Sequence, residues 1–389
     1  MTTFKDFLAE ELDESKLKHL EHAEDHVINA GHEGFSHAYH NLKDVHDRLT
    51  GKKNDTRITM KYDGSPSVVF GRHPETGRFF VASKSAFNKN PKINYTLEDI
   101  ERNHGHAPGL VSKLRAALQH LPKVTPKKGV FQGDIMHTAE DVHESDGRVH
   151  FTPNTITYSA PKNSAHGKAA LNSKIGVAIH TKYNGKNLED MQAEHGAQLN
   201  DFGLHKDVHL ISTEHHLDNI KFTPQNRERF AKAMTAAAAH NKKAKPETYE
   251  AIKGHEIPLK TYINHTVRTG TKPSVEGFMN HYMKAHQKKI EGVKMAASKA
   301  SKTAAMESDI GHVQRNRAHF ENVLNQHKHL QKAKDILAHT LSSSAEFDHS
   351  INGKKSKPEG FVVVRHNRPT KIVDRAEFSA ANFNKVKAQ

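Results

Sequence analysis

Cysteine is absent from the 389 residues, and so is tryptophan. Without thiols the chain has no disulfide and no thiolate metal site, a composition compatible with a reducing compartment. No apolar run approaches the roughly 20 residues that a membrane-spanning helix needs. The opening Met1-Thr2-Thr3-Phe4-Lys5-Asp6 lacks the apolar segment of a signal peptide. These absences predict a cytoplasmic protein with no membrane partner. Acidic charge is also in short supply. Lys and Arg number 58 against 44 Asp and Glu, for a net charge of +14. The basic residues are spread along the chain, which predicts a polyanionic partner, most simply a nucleic acid or a nucleotide. Solubility alone is the blander reading of the same charge. The histidines, 33 of them, have no reason that composition supplies.

What is present is a polar but foldable chain. Hydrophobic residues make up 35% and mean hydropathy is −0.77. The length allows two or three domains. Residues 1–50 read as an N-terminal helical region. Phe4, Phe7, Leu8 and Leu12 share a face, Leu17, Leu20, Val27 and Ile28 line a segment that stops at Gly31, and Tyr39, Leu42, Val45 and Leu49 form a stripe ending at Gly51. His19, His22 and His26 fall one helical turn apart, with His32, His37 and His40 after them. Such spacing suits zinc, but the order His-Glu-x-x-His is missing, and hydrogen-bonded histidines are the commoner use.

From Arg57 the period changes to that of strands. Residues 67–73 and 78–84 flank the turn Pro74-Glu75-Thr76-Gly77 and predict a hairpin. A helix is expected over 110–121, and strands over 129–132, 150–152, 155–159, 175–180 and 208–212. This order predicts an α+β domain with mostly antiparallel sheets over 51–222. At Thr223-Pro224, a cap followed by proline at the first helical position, the composition shifts to a basic helical insertion over 223–341. Its two long helices are expected at 274–306 and 309–341. Residues 342–389 then return to the α+β domain with its last strands, 360–365 and 371–373.

The stretch that organises the chemistry is Thr59-Met60-Lys61-Tyr62-Asp63-Gly64, a lysine at the end of a short apolar strand followed by a tight glycine turn. A lysine so held can be aimed and stripped of water, the conditions under which an amine becomes a nucleophile. Three further pieces accompany it. Val130-Phe131-Gln132-Gly133-Asp134 is a strand ending in glycine and a carboxylate. Glu359-Gly360 precedes the apolar Phe361-Val362-Val363-Val364. Lys371 sits on a short strand near the C-terminus. Each alone is common, and their order carries the weight.

The series resembles the covalent nucleotidyltransferase superfamily, which comprises ATP-dependent DNA and RNA ligases and mRNA capping enzymes. That family orders a Lys-x-Asp-Gly element, an aromatic-x-Gly-acid element, an aliphatic strand, a Glu-Gly-aliphatic element and a lysine-bearing strand. Here they look like Lys61-Tyr62-Asp63-Gly64, Phe131-Gln132-Gly133-Asp134, Lys174-Ile175-Gly176-Val177-Ala178-Ile179, Glu359-Gly360-Phe361-Val362 and Lys371. Ser83-Lys84-Ser85 is similar to a short basic element that the family places after the hairpin. The resemblance covers about residues 55–212 and 355–378. The earlier Lys18-His19-Leu20-Glu21-His22-Ala23-Glu24-Asp25 resembles proteins of large tailed phages and says nothing of substrate.

The resemblance implies an antiparallel nucleotidyltransferase fold and an ATP-dependent, RNA-ligase-like polynucleotide ligase. Lys61 would attack the α-phosphate of ATP, release pyrophosphate, hold AMP and pass it to a 5′-phosphate, after which a 3′-hydroxyl displaces AMP. Mg²⁺ or Mn²⁺ would sit on Glu359. Lys371 would contact the α-phosphate, Asp134 would accept from ribose hydroxyls, and Asp63 would orient the turn that Gly64 tightens. A free lysine titrates near 10.4, so Lys371, Lys84 and the metal are expected to disfavour the Lys61 ammonium. The basic insertion is expected to grip the phosphate backbone of a nucleic acid, RNA more than DNA.

Departures from the family narrow the reading. Asp134 stands where ligases mostly have Glu. Pro66 replaces an arginine usual in DNA ligases, for which Arg72 or Lys84 would have to substitute. Val373 replaces a second lysine on the last strand. Too few residues follow Lys371 for the appended oligonucleotide-binding barrel. Two alternatives therefore stay open. One is transfer to another acceptor, by capping-type guanylylation or by AMP transfer to protein. The other is an inactive nucleic-acid-binding protein.

Overall fold

The computed structural model describes residues 20–88 and 90–375. The stripe expected at Phe4, Phe7, Leu8 and Leu12, together with Leu17 and His19, lies outside the described residues. In chain order the strands are β1 (Arg57–Lys61), β2 (Ser67–Arg72), β3 (Phe79–Ala82), β4 (Val130–Thr138), β5 (His143–Ser145), β6 (Arg148–Phe151), β7 (Thr157–Pro161), β8 (Ile175–Asn184), β9 (Gln192–His195), β10 (Val208–Ile211), β11 (Asp348–Ile351), β12 (Lys354–Ser356), β13 (Gly360–Arg365) and β14 (Arg368–Ile372). The chain divides into two compact units. The first holds Leu20, 55–219 and 342–369, and the second holds 21–54, 220–341 and 370–375.

The first unit is α+β. Its largest sheet runs β10-β8-β4-β2-β3, with β9 added alongside β8. Neighbours are antiparallel except β10, which lies parallel to β8. Alternation along the strands sorts the side chains between two faces. Val68, Phe70, Phe131, Ile135, Val177 and Ile179 point to one side, where Ile100, Val111, Leu114 and Ala117 of the helices Leu97–His104 and Pro108–His120 cover them. Val69, Phe80, Ala82, Val130 and Tyr183 cluster on the other side. The expected hairpin forms around residues 74–77, with Val69 opposite Ala82 and Arg72 opposite Phe79. A second sheet runs β12-β11-β7-β6-β5. In a third, β1 pairs antiparallel with β13 from Arg57 opposite Val364 to Lys61 opposite Gly360.

The second unit is helical. His26–Leu49 is one segment interrupted at Ala30 and Gly31, where the backbone leaves helical geometry and Gly31 takes φ 54°. A side chain there would be strained, and its Cβ would meet Tyr249 Cγ at 2.9 Å, so glycine answers both demands. Helix Pro224–Lys243 starts as expected, the Thr223 hydroxyl accepting from Asn226 N–H at 3.3 Å. The two helices expected beyond 274 are three: Val275–Glu291, Ala296–Arg315 and Arg317–Leu341. Gly292 caps the first of them, so the apolar pattern runs on across a real break. Strand β14 carries the chain out of the first unit, and its later residues, Lys371 included, belong to the second. The expected last strand forms as β14, which extends the sheet of β1 and β13, while from Thr370 onward the chain clusters with residues 21–54 in the helical unit. There Lys371 N–H donates to the Glu21 carbonyl at 2.9 Å, and the strand edge bridges to His22.

Among the described residues, members of the expected histidine stripe make ring contacts and hydrogen bonds. His26 and His37 meet edge to face, and His37 Nε2 is 3.0 Å from Thr370 Oγ1. His40 Nδ1 donates to the Ser36 carbonyl at 2.7 Å. Beneath helix Arg317–Leu341, a buried cluster brings Glu24 and Asp25 to Lys334, His327 and Arg375. Glu24 Oε1 lies 2.8 Å from Lys334 Nζ, and Asp25 Oδ1 lies 2.9 Å from His327 Nε2. The Arg375 guanidinium donates to both carboxylate oxygens of Asp25. Glu24, Asp25 and His327 could by proximity hold a cation, but the two cationic side chains already neutralise the carboxylates. No helix of the described residues is long and apolar enough to cross a membrane.

Candidate nucleotide site

Antiparallel pairing of β1 with β13 explains how the distant Lys61 and Glu359 meet. With Lys61 opposite Gly360, the residue just before β13 falls beside the last residue of β1. Lys61 Nζ donates to Glu359 Oε1 at 2.6 Å, and both side chains are mostly buried, 28% and 17% exposed. Burial alone would lower the Lys61 pKa. The Glu359 carboxylate outweighs it, helped by Asp134 and Asp63, and holds the ammonium above its ordinary 10.5. The side chains that act on this amine are carboxylates, and neither Lys371 nor Lys84, the expected cationic side chains, is among them.

The turn after Lys61 is fixed from three directions. The Asp63 carboxylate accepts from Asn154 Nδ2 at 2.8 Å and from the backbone N–H groups of Thr155 and Ile156 at 2.8 and 3.1 Å. Its own N–H donates to the buried Tyr158 hydroxyl at 2.6 Å. Ser65 N–H donates to the Ile135 carbonyl and Ile135 N–H to the Pro66 carbonyl, each at 3.0 Å, which lays the turn along β4. Gly64 is there because of close approach: a Cβ would come within 2.5 Å of Asp134 Cβ and 2.9 Å of Met136 Sδ.

Asp134 stands opposite Ser67 of β2 and Ala178 of β8, where its side chain faces a pocket. Thr59, Met60, Lys61, Tyr62, Asp134 and His180 are among the residues lining it, together with Ala178, His195, Thr213 and Val362. The pocket holds about 520 Å³ of empty space with its open mouth included. Burial would raise the Asp134 pKa, but His180 Nε2, 3.7 Å from Oδ1, and Lys61 keep it below the usual value. Burial, reinforced by His180, keeps His195 neutral, its pKa down at about 4. The residues 213–215 finish the wall by pairing with β1: Met60 N–H donates to the Thr213 carbonyl at 2.6 Å, and His215 N–H to the Ile58 carbonyl at 3.0 Å. An apolar slot with hydroxyls and imidazoles along its sides suits a planar heterocycle, and the carboxylates around the amine at one end could hold a hard cation.

Of the expected site residues, Lys61, Asp63, Gly64, Asp134 and Glu359 converge. Arg72 does not join them. It lies five residues along β2 from Ser67, and its guanidinium stacks on Phe79 with 5.4 Å to the ring centre. Lys84 is exposed in the short turn after β3, which Ser83 caps, and it is not among the pocket-lining residues. Lys371 belongs to the second unit. Sequence reasoning missed His180, His195, Thr213 and Tyr158. Alternation along β8 was a usable signal for His180, because Val177 and Ile179 point to the core and Ala178 and His180 must then face the other way. His195 and Thr213 come from segments with no motif.

A family model described as "Family of unknown function (DUF6267)" matches residues 17–387. No curated protein and no solved structure matches.

Proposed function

Since the chain belongs to this family, whose description assigns no chemistry, we propose from the geometry a nucleotidyltransferase. It takes AMP from ATP onto Lys61 and passes it to a polynucleotide end, in the manner of an RNA ligase. The observation that carries the reading is that Lys61, which lines the pocket with Asp134, is held by Glu359 at 2.6 Å, the three coming from separated motifs whose order resembles that superfamily. The α+β unit with antiparallel sheets is compatible with its nucleotidyltransferase fold.

At rest, Lys61 is an ammonium held by Glu359. Glu359 and Asp134 offer carboxylate oxygens, the donors a hard divalent cation takes. Mg²⁺ or Mn²⁺ bound there would supply positive charge to the phosphate oxygens. A cation there would also compete for the Glu359 carboxylate that holds the Lys61 ammonium. Burial favours the neutral amine, whose proton would leave toward the open mouth of the pocket. Its lone pair attacks the α-phosphorus: the N–P bond forms as the bond to the pyrophosphate oxygen breaks. Asp63 keeps the amine aimed through its three accepted hydrogen bonds, and Asp134 faces the slot where ribose hydroxyls would lie. In the second half, an oxygen of the 5′-phosphate displaces Lys61 from phosphorus, and a 3′-hydroxyl then displaces AMP.

The test is incubation with each α-labelled nucleoside triphosphate and Mg²⁺ or Mn²⁺, followed by a search for an acid-labile, alkali-stable protein adduct. ATP labelling that Lys61→Ala abolishes supports the reading, and GTP labelling redirects it to guanylyl transfer. With no adduct under any condition the reading fails. What remains then is an inactive nucleic-acid-binding protein, the alternative that the carboxylate-locked Lys61 ammonium favours.

A further inference from the structure

We propose that the tip formed by helices Val275–Glu291 and Ala296–Arg315, with the segment 292–295 joining them, is a nucleic-acid backbone-binding surface. Between residues 284 and 302 the chain carries Lys284, Lys288, Lys289, Lys294, Lys299 and Lys302 against a single acid, Glu291. All six lysines are exposed. Elsewhere in the same unit lysines are used as partners: Lys43 reaches Asp47 at 2.5 Å, Lys260 reaches Glu21 at 3.1 Å, and Lys334 reaches Glu24 at 2.8 Å. Among the described residues none of the tip's six lysines is ion-paired.

Two observations argue against a role confined to the fold. Only Val313 of helix Ala296–Arg315 is buried, so its first turns are solvated nearly all round. Lys299 lies in its first turn, where a cation opposes the helix dipole, and that turn has no acid to offset it. The lysines thus work against their own helix.

The chemistry of the gaps selects the partner. Between the lysines of residues 296–305 stand Ala, Ser and Thr, and Met295 beside Lys294 is a single exposed apolar side chain, too little to anchor in a bilayer or to form the aromatic core of a protein interface. Small neighbours leave the lysines room to follow a chain of phosphates. Lys284 and Lys288, and likewise Lys299 and Lys302, are one-turn neighbours with Cβ atoms about 5–6 Å apart, which lets their flexible side chains reach successive charges on one strand. The binding stands apart from Lys61. It rests on the proposed ligation only for the claim that the bound strand is the acceptor.

Fluorescence anisotropy of a labelled single-stranded RNA of mixed sequence, titrated with the full chain over a potassium chloride series and without nucleotide, tests this directly. Reversal of Lys288, Lys294, Lys299 and Lys302 to Glu should weaken binding at least about tenfold and flatten the log–log salt slope by about three. Helical circular dichroism should be unchanged. The milder Lys→Gln set at the same positions should give the same direction, which guards against misfolding. A control with the same charge change, Lys127, Lys128, Lys186 and Lys206 to Glu, should move the slope far less. A control effect as large as the tip's would assign the binding to net charge alone and overturn the proposal. It is equally overturned by RNA affinity indifferent to salt or to the tip, or by wild-type chain that binds phosphatidylserine vesicles or polyglutamate and no RNA. Adduct formation at Lys61, assayed in parallel, separates failure of this surface from failure of the nucleotide site.

Discussion

Lys61 Nζ and Glu359 Oε1 lie 2.6 Å apart although 298 residues separate them in sequence. The pair sets the resting state of the proposed nucleophile. With Glu359 in place, burial is outweighed and the ammonium is favoured. Glu359→Gln removes the carboxylate that does most to oppose burial, so the Lys61 pKa should fall. Amine acetylation followed by mass spectrometry across a pH series should place the reactivity midpoint of Lys61 lower in the variant than in the wild type. The same variant should lose adduct formation with ATP by at least about a hundredfold, since it also loses the carboxylate proposed to hold the metal. A variant whose lysine titrates unchanged would show that Glu359 does not govern this amine.

Asp63 works on the turn rather than on the charge. Three hydrogen bonds converge on its carboxylate, one from Asn154 Nδ2 and two from backbone N–H groups. Asp63→Ala leaves those donors without their acceptor, at a cost of about 2–3 kcal/mol in a denaturant titration. Adduct formation should fall much further than stability, because a nucleophile displaced by an ångström loses about a hundredfold in rate. Equal and small losses in both would make Asp63 a surface residue.

Gly64→Ala puts a Cβ where Asp134 Cβ and Met136 Sδ already stand, at 2.5 and 2.9 Å. Overpacking of this kind costs about 1–3 kcal/mol. Here the neighbour pushed aside is the carboxylate expected to meet the ribose. The apparent Michaelis constant for ATP in the adduct assay should therefore rise together with the drop in melting temperature. An unchanged constant would detach Asp134 from nucleotide binding.

The parts of this arrangement that were legible in the sequence are those where one residue type has one job. Lys61-x-Asp-Gly64 marked a strand end and a tight turn, and Glu359-Gly360 marked the start of β13. The hairpin of β2 and β3 was written in its Pro-Glu-Thr-Gly turn. Arg72 was misplaced because alternation tells which face a strand residue takes but not how far along the strand it lies from the pocket. The strand that carries Lys371 was legible and forms as β14 in the sheet of β1 and β13, but its later residues cluster with the helical unit, because no sequence signal distinguishes a strand that closes one unit from a strand that opens another. The histidine excess had no meaning until pairs far apart in sequence were brought together. His137 Nε2, His209 Nδ1, His209 Nε2 and His166 Nδ1 form a chain with links of 3.1 and 3.0 Å. His166 Nε2 ends it 3.2 Å from Glu346.

The buried cluster of the helical unit makes stability depend on acid. Burial opposes the charged Glu24, but Lys334 and Arg375 outweigh it and bring its pKa from 4.5 down to about 2. Asp25 is held below the usual carboxylate range in the same way, by His327 and Arg375 against burial. A depressed carboxylate contributes stability that is complete above its unfolded pKa and lost as pH falls through its folded one. Thermal unfolding should show the midpoint dropping between about pH 4.5 and 2, with Glu24 alone responsible for on the order of 3 kcal/mol. Glu24→Gln should flatten that acid limb while lowering the midpoint at neutral pH, because Lys334 then keeps its charge in a site closed to water. A wild-type curve flat across this window would mean that the cluster's protons are not coupled to folding.

Asp335 carries the opposite sign beside the same lysine. Burial raises its pKa from 3.8 to about 6, Lys334 at 3.3 Å offsets part of that, and Glu24 and Asp374 add to it. A carboxyl whose folded pKa is raised costs nothing below about pH 3.8, where it is protonated in both states. It becomes a growing liability as pH climbs to about 6, above which the folded chain holds a charge that the unfolded chain would solvate better. Asp335→Asn removes that liability without changing the side chain's size. The variant should match the wild type in melting temperature at the acid end, rise above it through the interval, and stay above it at neutral pH. If instead Asp335→Asn is the less stable protein at pH 7, the attraction between Asp335 and Lys334 outweighs the desolvation of the carboxylate. Lys334 would then be balanced by two acids rather than by Glu24 alone.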